Sequence, residues 1–147
     1  MGKVFEDYFS ELQSDIVSIC LEYVDKRADV IYICCYHELG EYGMDVFYKI
    51  NDVFVEKHKV NEIYSEIDVS EERQYAVLRI GNEDLLKIIN LFEKYNREMP
   101  TEMKLTYDVI KNKLEATYSY DLKFTNLSKS ASEVFDEWFE EVSRMRK

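Results

Sequence analysis

The stretch MKLTYDVIKNKLEATYSY, residues 103–120, decides the fold class. Met103, Leu105, Tyr107 and Val109 fall on one side of an extended chain, with Lys104, Thr106 and Asp108 on the other. Leu114, Ala116, Tyr118 and Tyr120 repeat the pattern, opposite Glu115, Thr117 and Ser119. Strict alternation marks a strand with one buried face. Two such runs joined through Lys111-Asn112 predict an antiparallel hairpin with one core face and one wet face.

Upstream, Ser70 is a candidate helix N-cap, with Glu71 and Glu72 in the first turn. Tyr75, Leu78, Leu85, Ile89 and Phe92 then keep a helical rhythm through Tyr95. Either one helix runs through Gly81, or a first helix ends there and Asn82 caps a second. The single helix is favoured, with Pro100 as its stop. Residues 4–24 predict a first helix, with Phe5, Tyr8, Phe9, Leu12, Ile16, Ile19, Cys20 and Tyr23 at three- and four-residue steps.

Val30 to Tyr36 reads as a strand buried on both faces. His37 to Gly43 reads as a connection, and Met44 to Ile50 as a second strand. Asn51-Asp52 is a two-residue turn into a third strand, Val53 to Val55. Residues 56–68 carry no clear period. Near the end, Ser130 and Glu133 have capping-box spacing. They open a helix with Val134 or Phe135, Trp138, Val142 and Met145 on its apolar side. Arg144, Arg146 and Lys147 stand at its C-terminal end. The expected fold is α+β: an antiparallel sheet of about five strands, three main helices, order α-βββ-α-ββ-α, with residues 1–147 as one domain.

The chain has 147 residues, 46% hydrophobic and 33% charged, which argues against disorder and against a membrane span. Thirty Asp and Glu against 19 Lys and Arg leave a net charge of −11. Such a chain repels phosphate backbones, so direct nucleic-acid binding is not expected. Cys20, Cys34 and Cys35 suit neither a disulfide framework nor a zinc clamp, because neighbours on a strand face opposite ways. No secretory apolar stretch follows Met1. Free thiols and no leader predict the cytoplasm.

No catalytic, cofactor or metal residues are assigned. His37 and His58 lack metal-spaced partners. Glu102-Met103-Lys104 puts Glu and Lys on one strand face, as certain metal-dependent nucleases do; a solvated strand face explains it better. The acids of the last helix have no helical His partner for a di-iron site. Most of Tyr32, Tyr36, Tyr107, Tyr118 and Tyr120 are expected in the sheet core, with a minority facing a partner.

Three segments carry a family resemblance: FEKYNREMPTEMKLTYD (92–108), KLEATYSYD (113–121) and FDEWFEEV (135–142). A helix leading to a Pro-Thr element, a hairpin with a Tyr-Asp step and a closing segment with Trp resemble the YezG-like family of immunity proteins and antitoxins. The chain departs from that pattern in two places. Thr101 follows Pro100 directly, and Asn51-Asp52 stands where an Asp-Gly turn is common. The resemblance implies a cytoplasmic protein of bacterial competition that binds and neutralises a cognate secreted toxin, often a nuclease, and is not itself an enzyme.

A nuclease groove is basic because it holds phosphates, so an acidic inhibitor is steered towards it. The candidate contact residues are the acids expected on the surface: Glu38, Glu41 and Asp45 near the first strand connection, and Asp136, Glu137, Glu140 and Glu141 on the last helix. The alternatives are a generic acidic interaction or oligomeric module, and a carboxylate-based metal-dependent enzyme.

Overall fold

The computed structural model describes residues 3–125 and 128–145, without the side chain of Met145. Arg146 and Lys147, expected at the end of the last helix, lie outside the described residues. The elements are α1 (Phe5–Tyr23), β1 (Val30–Glu38), β2 (Glu41–Ile50), β3 (Val53–Glu56), α2 (Glu71–Lys94), β4 (Glu102–Asp108), β5 (Lys113–Ser119) and α3 (Ala131–Met145). The fold is α+β, in the order α-βββ-α-ββ-α, and residues 57–62 form a short 3-10 helix after β3.

The five strands pair antiparallel in the order β3-β2-β1-β4-β5. The central strand is β1, so its residues alternate between two covered faces. Ile31, Ile33 and Cys35 join Val46, Tyr48, Met103 and Leu105 under α1 and α2. Tyr32 and Cys34 turn the other way, with Phe47, towards Phe135 and Trp138 of α3. The sheet is thus a middle layer between the α1–α2 pair and α3. The adjacent thiols Cys34 and Cys35 enter opposite layers, as strand geometry requires.

Local chemistry sets the element ends. The Ser70 hydroxyl accepts the Arg73 N–H at 3.2 Å and starts α2. One helix runs through Gly81, and the reason is space: a Cβ there would meet the Met44 thioether of β2. The helix ends at Lys94, well before Pro100, and Asn96 takes the left-handed conformation (φ 54°) that closes it. Pro100 therefore does not stop α2. The Ser130–Glu133 box forms in both directions: Glu133 accepts the Ser130 N–H at 3.0 Å, and Ser130 accepts the Glu133 N–H at 3.1 Å.

Two further expectations change. Residues 37–43 are not a loose connection, because β1 continues to Glu38 and β2 starts at Glu41. Only Leu39-Gly40 turns between them, both at positive φ, the backbone of a tight hairpin turn. The hairpin β4–β5 does not keep one whole face wet. Glu102 at the start of β4 is buried on the α3 side, and only the outer part of the hairpin stays open to water there.

Candidate interaction surface

The helix α3 is amphipathic because its apolar residues recur at three- and four-residue steps. Phe135 and Trp138 are buried, and Val134, Phe139 and Val142 are half-buried. Phe47 is the floor on which they rest. Its ring centroid lies 5.8 Å from Phe135, 5.1 Å from Trp138 and 5.0 Å from Phe139. Each pair is close to edge-on, the arrangement ring quadrupoles favour. Tyr32, its cross-strand neighbour, stacks on Phe47 at 4.6 Å and meets Trp138 edge-on at 6.0 Å. Lys104 completes the seat, with its Nζ 5.0 Å from the Trp138 ring centroid.

This seat fixes which residues of α3 look outward. Glu133, Asp136, Glu137, Glu140 and Glu141 are all exposed on one side of the helix. Two nearby cations temper the charge: Lys129 pairs with Glu137 at 2.8 Å and Arg144 with Glu140 at 3.4 Å. Both pairs are open to water, so they add little stability and are screened by salt.

Asp136 is the link to the first strand connection. It lines a cleft of about 190 Å³ together with Asp45, Glu56, Lys57, His58 and Phe135. Asp45 accepts from Lys57 Nζ at 3.0 Å and from the Val46 N–H at 2.8 Å. Asp45 also borders a second cavity, of about 210 Å³, running under the first turn of α3 past Cys34, Tyr36 and Phe124. The structure therefore brings Asp45 and Asp136 together, from elements about ninety residues apart in the sequence. Glu56 and His58 join them. Sequence reasoning missed both, because residues 56–68 showed no period to place them. Glu41 is exposed at the start of β2. Glu141 sits on the other flank of α3, beside Trp138, Glu115 and Lys104.

Glu38 does not belong to this surface. It is 2% exposed and spent on the chain segment that leads into α3. Its carboxylate accepts from the Lys123 N–H at 2.6 Å, the Thr125 N–H at 3.2 Å and the Thr125 hydroxyl at 2.5 Å. Burial pushes the carboxyl pKa up, but the Thr125 hydroxyl and the backbone N–H groups of Lys123, Thr125 and Phe124 outweigh it. The net shift is downward from 4.5, so the group stays charged. The acid that looked like a surface loop residue is a clamp. Phe124, within the clamped segment, sets its ring edge-on to Tyr36 at 5.4 Å.

Glu102 and Lys104 share a face, as their spacing predicts, but that face lies against α3 and is not a solvated one. They pair with each other at 3.7 Å. The three thiols are free and buried. Burial pushes Cys34 up to about 12 and raises Cys20 and Cys35 as well, so all three stay protonated at neutral pH. Among the described residues, no group of three or more His, Cys, Asp or Glu is arranged to hold a metal ion. No helix of the described residues is long and apolar enough to cross a membrane. Compared with protein-family models the chain matches none, and it matches no curated protein.

Proposed function

We propose that this chain is an immunity protein, an antitoxin that neutralises a cognate secreted toxin by binding it one to one. The counterpart is a nuclease domain with a basic active-site surface, and the place of action is the cytoplasm. The observation that carries the reading is the seating of α3. An aromatic anchor holds one helix so that five carboxylates project together, with Asp45 close beside them. A fixed row of acids needs little reorganisation on binding, and it attracts a phosphate-binding groove from a distance. The net charge of −11 strengthens that field. The three free thiols suit a reducing compartment.

The test uses the cognate toxin domain. Association and dissociation rates are measured at low and high salt, and nuclease activity is titrated with the chain. Inhibition should be complete at one equivalent. Association should slow as the Debye length shrinks from about 10 Å at 0.1 M to about 3 Å at 1 M. Reversing Asp136, Glu137, Glu140 and Glu141 to Lys should lower the association rate more than it raises dissociation. An association rate indifferent to salt and to these reversals would discard the acidic-helix interface. No inhibition at any ratio would discard the antitoxin reading.

A further inference from the structure

The sheet has two edges of very different character. β3 is four residues long and runs straight into the 3-10 helix. β5 is seven residues long and pairs with β4 residue for residue, from Asp108↔Lys113 to Glu102↔Ser119, with no bulge. Among the described residues, the outer side of β5 meets no further strand. The Ser119 carbonyl accepts from Thr101 on the β4 side. Alternate residues of a strand send their N–H and C=O to opposite edges. Leu114, Ala116 and Tyr118 therefore turn theirs outward, a template for a further strand.

The two faces flanking this edge differ in chemistry. On the α1–α2 side lies a groove of about 400 Å³ formed by Phe9, Phe92, Arg97, Pro100, Tyr118 and Tyr120. Tyr118 is 43% exposed and Tyr120 50%, although their alternation predicted core positions. From α1, Phe9 meets the Tyr118 ring at 6.0 Å and Gln13 Nε2 donates to the Tyr118 hydroxyl at 3.0 Å, which covers Tyr118 only in part. On the α3 side lies a groove of about 660 Å³ with Lys104, Glu115, Thr117, Trp138 and Glu141. Its one cation, Lys104, is already paired with Glu102. Glu115 meets Lys113 at 3.9 Å in a pair open to water, which is weak and readily exchanged, so Glu115 and Glu141 can both receive a positive charge.

We propose that β5 is the docking edge for an extended segment of a partner protein whose residues alternate between apolar or aromatic and basic. Added as a sixth strand, the segment pairs its backbone with Leu114, Ala116 and Tyr118. Its apolar side chains enter the tyrosine groove, and its basic side chains enter the groove of Glu115 and Glu141. Backbone pairing supplies affinity, and the two unlike grooves supply register and specificity. A second copy of this chain is disfavoured as occupant, because two copies of net charge −11 repel and β5-to-β5 pairing would bring two Glu115 side chains together. The proposal deepens the antitoxin reading: it takes from it only that the partner is the toxin protein.

The probe is a capped, strand-length peptide alternating valine or tyrosine with lysine, set against a scramble of the same composition. Binding to the full chain is measured by fluorescence anisotropy and amide exchange by NMR. The alternating peptide should bind better than the scramble. It should slow exchange at Leu114, Ala116 and Tyr118, while Lys113, Glu115 and Thr117, already paired with β4, stay unchanged. N-methylating one alternate set of peptide amides should abolish binding and methylating the other should not, a test that leaves the protein intact. Glu115→Lys with Glu141→Lys should weaken binding about tenfold or more. Failure to bind, equal binding of the scramble, or binding by both N-methylated peptides would overturn the proposal. So would a dimer that protects the same three amides without peptide. Because no toxin is present, this result stands apart from the inhibition assay: either can fail while the other succeeds.

Discussion

Replacing Glu38 by Gln tests whether one buried carboxylate holds α3 in place. The change keeps the shape and removes the charge. In the native chain both carboxylate oxygens accept, one from the Lys123 N–H and the other from the Thr125 N–H and hydroxyl. A glutamine has a single accepting oxygen, and its amide N–H₂ must face at least one backbone donor. Hydrogen bonds to a charged acceptor are worth about 1.5–3 kcal/mol each, so losing one and leaving a donor unpaired costs about 2–4 kcal/mol. For a chain of this size, that lowers Tm by roughly 5–15 °C. The loss falls on the segment leading into α3, so α3 should loosen first. Trp138 is the only tryptophan and lies in the α3–sheet contact, so its emission reports that step alone. In urea, the fluorescence transition of the variant should precede the far-UV circular dichroism transition, whereas the native chain should show both together.

The pH dependence supplies an independent arm. The folded pKa of Glu38 lies below its ordinary value, so its contribution is present above the unfolded pKa and is lost as pH falls through the lower, folded one. The stability gap between native chain and variant should therefore be full at about pH 7 and shrink below about pH 4. Unchanged stability at neutral pH, with unchanged amide exchange at Lys123 and Thr125, would refute the clamp.

Three other outcomes follow from the same packing. Trp138→Ala removes the ring between Phe47, Tyr32 and Lys104 and should cost about 3–5 kcal/mol in chemical denaturation. Loss of partner binding with an unchanged melting temperature would instead make Trp138 a contact residue. Asp84→Asn should stabilise the chain at neutral pH, because burial, then Asp15, raises the Asp84 pKa. Its favourable contribution is present in acid and lost as pH rises through the folded pKa, so the gain should vanish in acid. Ellman's reagent should react with none of the three buried thiols of the native chain and with all three in denaturant; a fast native reaction at Cys34 would contradict its burial.

Much of this fold was readable from neighbours in the chain. The alternations at 103–109 and 114–120, the caps at Ser70 and Ser130 and the Asn51-Asp52 turn depend on residues a few positions apart. Periodicity and capping act at that range, so the sequence carried them openly, along with the outward acids of α3. The order of strands, the opposite placement of α3 and the meeting of Asp45 with Asp136 depend on contacts between distant segments. No local pattern encodes those. Glu38 shows the difference most sharply. Its charge and its place in the expected connection His37 to Gly43 marked it as a surface residue, and only folding brings Lys123 and Thr125 to it. Tyr118 and Tyr120 show the converse: their alternation marked a core face, but how fully that face is covered is decided by where α1 and α2 lie across the sheet. Burial is a property of what else arrives at a position, and that is set by tertiary structure.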